Sequence, residues 1–184
     1  MPNRKIIIDT DPGQDDAVAI LMALSSPEKI ELLGITTLAG NVPLDLTTKN
    51  ALKICELAGK PNTRVFAGAS GPLKGKAVTA EHIHGKTGMD GPSLPEPTMV
   101  VQGKSAIDFI IDQLRTQGEK SITLCTLGPL TNIALAMNKA PDIKDRIKEI
   151  VMMGGGFFEG GNITPTSEFN VFVDPEASEI VINS

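Results

Sequence analysis

Asp9, Asp11, Asp15 and Asp16 crowd around a Pro12-Gly13 turn. Carboxylates this close repel one another at neutral pH unless positive charge lies between them, and a bound cation is the economical source of it. The loop contains neither His nor Cys, and such hard oxygen donors favour calcium or magnesium over zinc, copper or iron. Several carboxylates on a flexible turn suit the looser geometry of calcium better. Asp15 and Asp16 diverge by about 100° if both lie in a first helical turn, so one can hold metal while the other meets a substrate. Acidic residues also favour helix N-termini for electrostatic reasons alone. Asp9 and Asp11 precede the helix and gain nothing from it.

The elements that position this loop are legible on both sides. Ile6-Ile7-Ile8 reads as a buried strand, and Ala17 to Leu24 has helical periodicity. The acidic turn therefore lies at the carboxyl end of a strand, where open α/β sheets hold their ligands. Strand-like and helix-like segments then alternate along the chain, which predicts an α/β fold with a mostly parallel, open, Rossmann-like sheet flanked by helices. Strands are expected at 30–37, 64–67, 121–126 and 147–153, with helices at about 44–58, 106–117, 131–138 and 176–182. Asp174 and Pro175 read as N-cap and first position of the last helix. Glu168 to Val173 alternates like a strand, which would set Glu168 and Asn170 on one face. Residues 68–102 show no period and are rich in Gly and Pro, the pattern of a functional loop or lid. Gly154-Gly155-Gly156 has neither GxGxxG nor GxxxxGK[ST] spacing and does not read as a phosphate cradle.

With 184 residues and no linker, repeat or low-complexity tract, residues 1–184 are expected to form a single domain. A net charge of -5 without any basic run argues against nucleic acid or an anionic membrane as partner. No apolar run is long enough to span a bilayer, and Met1-Pro2-Asn3-Arg4-Lys5 leads directly into the first strand, so a cytoplasmic location is expected. Cys55 and Cys125 lack metal-type or CxxC spacing and read as reduced core residues.

Six stretches in order carry a resemblance: DTDPGQDDAVAI at 9–20, ITTLAGN at 35–41, HIHGKTGMDG at 82–91, TLGPLTNIA at 126–134, VMMGGG at 151–156 and NITPTSEFNVFVDPEA at 162–177. Together they resemble the inosine-uridine-preferring nucleoside hydrolases, which cleave the N-glycosidic bond of ribonucleosides with a bound calcium ion. The Asp-x-Asp after a strand also occurs in phosphatases of the haloacid dehalogenase type, which would use Asp9 as nucleophile with magnesium. No matching downstream lysine motif accompanies it here, and the later stretches discriminate against that reading.

The resemblance implies that Asp11 and Asp16 bind calcium together with the main-chain carbonyl of Leu127, and that Asp11 is also the general base. It implies Asp15 and Asn41 at the 2′- and 3′-hydroxyl side of a ribose, with Asn162, Glu168 and Asn170 around the remaining hydroxyls and Met153 beside the sugar. His84 corresponds to a loop histidine near the base or sugar, where an imidazole can assist the leaving group. Relatives are commonly dimers or tetramers, so a homo-oligomer is expected. Family members are longer and carry a C-terminal His-Asp pair with no counterpart here, so the chain is expected to represent the N-terminal portion of the nucleoside hydrolase fold. A non-catalytic ribose or nucleoside binding module is the alternative function. The stretch HIHGKTGMDGPSLPEP leans towards the pyrimidine-preferring branch.

Overall fold

A computed structural model describes residues 3–91, 93–156 and 158–184. Met1 and Pro2, where the sequence reading of the N-terminus begins, and Pro92 in the 68–102 loop lie outside them, as does Phe157. In chain order the elements are β1 (Arg4–Thr10), α1 (Gln14–Leu24), β2 (Ile30–Thr37), α2 (Leu44–Leu57), β3 (Val65–Ala67), α3 (Glu81–His84), α4 (Ala106–Thr116), β4 (Ile122–Thr126), α5 (Thr131–Lys139), a 3-10 turn (Pro141–Arg146), β5 (Ile147–Met152), α6 (Phe169–Val173) and α7 (Pro175–Ile182).

The five strands are parallel and ordered β3-β2-β1-β4-β5. Because β1 is central, its side chains are buried on both faces. Ile6 and Ile8 join a core with Ile20 of α1 and Ile54 of α2, whereas Ile7 joins Phe109 of α4, Ile133 of α5 and Val181 of α7. Burying an isoleucine of this kind stabilises by about 1.5–3 kcal/mol, which is why a β-branched run occupies the middle of the sheet. Chain order runs outward from β1 to β2 and β3, then resumes on the other side with β4 and β5, so the switch in direction falls between β1 and β4.

All four expected strands after β1 are present, and α7 begins as read, with the Asp174 side chain accepting from Ala177 N and Pro175 in the first turn. The segment 168–173 is not a strand. Glu168 caps α6, its carboxylate accepting from Asn170 N at 3.0 Å and Val171 N at 3.4 Å. Six alternating residues do not separate strand from helix, and a local carboxylate that can serve the free amides of a first turn tips the balance. Glu168 and Asn170 therefore meet around a helix N-terminus and not along a pleat.

The long loop contains only the single turn α3 as regular structure among its described residues, yet it is anchored along its length. Ala80 N donates to Asn41 O at 2.9 Å, Asn50 Nδ2 to Thr87 O at 2.8 Å, and Gln102 N to Val65 O at 2.8 Å. The Glu56 carboxylate receives both Thr98 N and Met99 N at 2.7 Å.

Candidate active site

The carboxyl ends of β1, β2, β4 and β5 open onto a cavity of about 300 Å³. Nine of the residues singled out in the sequence line it: Asp15, Asp16, Asn41, His84, Leu127, Met153, Asn162, Glu168 and Asn170. Asp11, the tenth, is buried directly behind the wall. Ala80, Ile83, Ile163 and Phe169 also line the cavity. No polar chemistry marks them in the sequence, and nothing in their spacing signals that α3 and the segment before α6 reach the same space.

The four aspartates do not act as one cluster. Asp9 points into the sheet, where its Oδ1 accepts from Thr36 Oγ1 at 2.5 Å and Asn132 Nδ2 at 2.8 Å. Burial nevertheless pushes its carboxyl up to about 7, and its Oδ2 is buried without a hydrogen bond. Asp15 is exposed at the cavity rim. Asp11 and Asp16 are the buried pair, and desolvation followed by the charge of Asp16 holds the Asp11 carboxyl well above the usual range. Asp16 is also raised by burial, against hydrogen bonds from Gly13 N at 3.0 Å and Thr10 Oγ1 at 2.8 Å. The bond to Gly13 N, from the third residue of α1 back to its cap, also satisfies an amide left free at the helix start.

Asp11 sits in a slot cut by two glycines. A Cβ at Gly40 would overlap its Oδ2, and one at Gly128 would overlap its Oδ1. Oδ2 accepts from Asn41 N at 2.7 Å, whereas Oδ1 is buried with no hydrogen-bond partner. An ionisable oxygen so placed is costly unless something positive meets it. The donors that the resemblance names, Asp11, Asp16 and the Leu127 carbonyl, are all oxygen, the chemistry that a hard cation takes. Among the described residues no three His, Cys, Asp or Glu side chains gather closely enough to hold a metal by themselves.

The amides around the cavity have fixed directions. Asn170 Nδ2 donates to Leu127 O at 2.8 Å and Met153 O at 3.0 Å, and Asn41 Nδ2 donates to Asp11 O at 3.0 Å. The NH2 group of each is thus committed to the protein, which leaves the amide oxygen as the group still able to accept. Asn162 is reversed: its Oδ1 accepts from Phe169 N at 2.8 Å, which leaves its NH2 as the donor. Glu168, the α6 cap, also receives Gly155 N at 3.1 Å and so ties the glycine run after β5 to α6. Asn132 joins three strand tips. Its Nδ2 reaches Asp9 and, at 3.1 Å, Thr37 O, while its Oδ1 accepts from Ala69 N at 2.9 Å. Neither cysteine is poised as a nucleophile, since burial pushes Cys55 up to about 11 and raises Cys125 as well.

The family model described as inosine-uridine preferring nucleoside hydrolase matches residues 6–184. The chain belongs to this family. It is 50% identical over 98% of its length to the inosine-uridine preferring nucleoside hydrolase of Leishmania major, and 47% identical over 100% to a pyrimidine-specific ribonucleoside hydrolase of Escherichia coli. The solved purine-preferring ribonucleoside hydrolase of Gardnerella vaginalis superposes on 97% of the chain with a TM-score of 0.91 at 41% identity. The chain spans 57%, 58% and 57% of those three proteins, respectively.

Proposed function

We propose that the chain provides the metal and ribose half of a calcium-dependent ribonucleoside N-ribohydrolase, releasing free base and ribose. The observation that carries this reading is Asp11 Oδ1, buried and without a partner beside Asp16 at the back of a cavity lined by Asn41, Asn162 and Asn170. Asp11, Asp16 and the Leu127 carbonyl would hold calcium. A bound calcium ion supplies positive charge that polarises a water molecule and draws the sugar hydroxyls into place.

Asp11 takes the proton of the attacking water as its oxygen adds to C1′ and the C1′–N bond breaks, the electron pair leaving with the base. Burial raises the Asp11 carboxyl in the metal-free chain, and calcium held by the same carboxylate would oppose that shift and keep Asp11 ionised, the form that accepts a proton. Positive charge develops on the sugar as the bond breaks, and the negative charges of Asp16 and Asp15 favour it. Asp15 and Asn41 receive the 2′- and 3′-hydroxyls, while Asn162, Glu168 and Asn170 address the remaining hydroxyls and Met153 packs beside the sugar. A site whose amides accept from hydroxyls discriminates strongly against sugars that lack them. His84 meets the base or sugar from the loop side. The resemblance of residues 82–97 to the pyrimidine-preferring branch makes uridine the first substrate to assay.

The test is release of reducing sugar from uridine and inosine by the purified chain. Release that is lost with a chelator, restored by calcium and abolished in Asp11→Ala is the expected result. A full rate in Asp11→Ala removes the proposed base. One observation favours a second reading, a ribose-binding module without turnover: among the described residues only two acidic side chains meet at the proposed metal position. That reading predicts saturable, calcium-dependent uridine binding with no product.

A further inference from the structure

Gln14 is the first residue of α1, outside the acidic pairs on either side of it, and its side chain reaches across to the loop. Its Nε2 lies 3.3 Å from the carbonyl oxygen of His84 and 3.4 Å from that of Asp90, and its Oε1 lies 2.6 Å from His84 Nδ1. Carbonyl oxygens only accept, so the two of them fix which end of the Gln14 amide is NH2. The other end, an oxygen that also only accepts, then requires that Nδ1 of His84 be the donor. We infer that Gln14 is a positioning residue that locks neutral His84 in its Nδ1–H form, leaving Nε2 as a bare acceptor towards the cavity.

The surroundings support one ring orientation. A Cβ at Gly13 would come within 2.6 Å of His84 Nδ1 and 2.8 Å of its Cε1, so the ring edge that carries Nδ1 is seated against the start of α1. The backbone on either side is also tied down, with His84 N donating to Ala80 O at 3.0 Å and Asp90 N donating to His84 O at 3.2 Å. His84 lines the cavity, and with Nδ1 occupied its remaining nitrogen is the one that meets a ligand. In the neutral ring that nitrogen carries a lone pair and no proton. It therefore receives a hydrogen bond from a ligand O–H or N–H, and it does not hand a proton to a departing base. The ligand part of this inference rests on the ribonucleoside reading, whereas the tautomer is a property of the free chain.

The chain contains two histidines, His82 and His84, so a two-bond 1H–15N correlation spectrum of the 15N-labelled, ligand-free chain in alkaline buffer shows two imidazoles, and His82→Gln identifies them. His84 is expected with its proton on Nδ1, against the Nε2–H preference of a free histidine side chain. In Gln14→Leu the ratio of the two forms should swing towards Nε2–H by roughly tenfold, the equivalent of one hydrogen bond. Gln14→Glu should keep the Nδ1–H form, because a carboxylate accepts from Nδ1 although it cannot donate to the two carbonyls. An Nε2–H ring in the parent chain overturns the inference, as does an unchanged ratio in Gln14→Leu. If Gln14→Glu behaves like Gln14→Leu, Gln14 only pins the loop and the inference also fails. None of these readouts depends on turnover, so a chain that proves inactive towards nucleosides leaves the tautomer result standing.

Discussion

Asn41 and Asp11 hold each other by a reciprocal pair of hydrogen bonds, the Asn41 main-chain N–H donating to Asp11 Oδ2 at 2.7 Å and Asn41 Nδ2 donating back to the Asp11 carbonyl at 3.0 Å. The pair joins the turn after β1 to the turn after β2. Asn41→Ala keeps the first bond and strands the Asp11 carbonyl, so it should cost about 1–3 kcal/mol. Urea denaturation measures this, and an unmoved midpoint would mean that the side-chain bond contributes nothing.

Gly128→Ala sets a methyl group against Asp11 Oδ1, the oxygen proposed to meet the cation. Overpacking of this kind costs about 1–3 kcal/mol and here also displaces the carboxylate. The expected outcome is a folded chain whose melting temperature no longer rises on adding calcium. A calcium-induced rise equal to that of the parent chain would separate Asp11 from metal binding.

Glu168 serves both as the cap of α6 and as a wall of the cavity. Glu168→Ala should lower stability by about 1 kcal/mol through loss of the cap. Glu168→Gln keeps an accepting oxygen and should recover most of that stability while weakening uridine binding. Thermal melts and a uridine titration on the two variants read the roles independently, and equal uridine affinity in Glu168→Gln and parent would remove Glu168 from the ribose site.

The buried carboxyls give the metal-free chain an unusual response to pH. Asp9 is raised from an ordinary 3.8 to about 7, and Asp11 and Asp16 are raised too, so the folded chain retains protons that the unfolded chain releases. Stability from these groups is full below the ordinary carboxylate range and is lost as pH rises through the raised values. In the presence of a chelator the melting temperature should be higher near pH 5 than near pH 8, by at least about 3 °C for a chain of this size. Saturating calcium, which favours the ionised forms, should narrow the gap. A melting temperature that climbs steadily with pH in chelator would contradict the burial of these groups.

Much of this arrangement is legible in the sequence. The β-branched runs and their Gly and Pro boundaries specify a parallel sheet, and the Asp-rich turn falls at a strand tip as the pattern requires. What could not be read depends on depth and direction. Asp9 and Asp11 are two positions apart and chemically identical, yet one is spent on Thr36 and Asn132 within the sheet while the other lies behind the cavity. The pleat and the turn decide which is which. Asn132 resembles any residue at a turn into a helix, because its partners come from β1, β2 and the loop after β3. The helical turn at 169–173 is hidden for the same reason, since a carboxylate that curls back on its own backbone leaves no mark in hydrophobic periodicity.

The bond between Asp9 and Asn132 spans 123 positions of the chain. Closing so long a separation costs more chain entropy than forming the local turns does. Until β4 and α5 dock, the acidic turn remains hydrated and its repulsion is softened by water. Dehydration of the carboxylates is thus deferred to the step that completes the sheet, and only the assembled protein ever carries the electrostatic tension on which cation capture would draw.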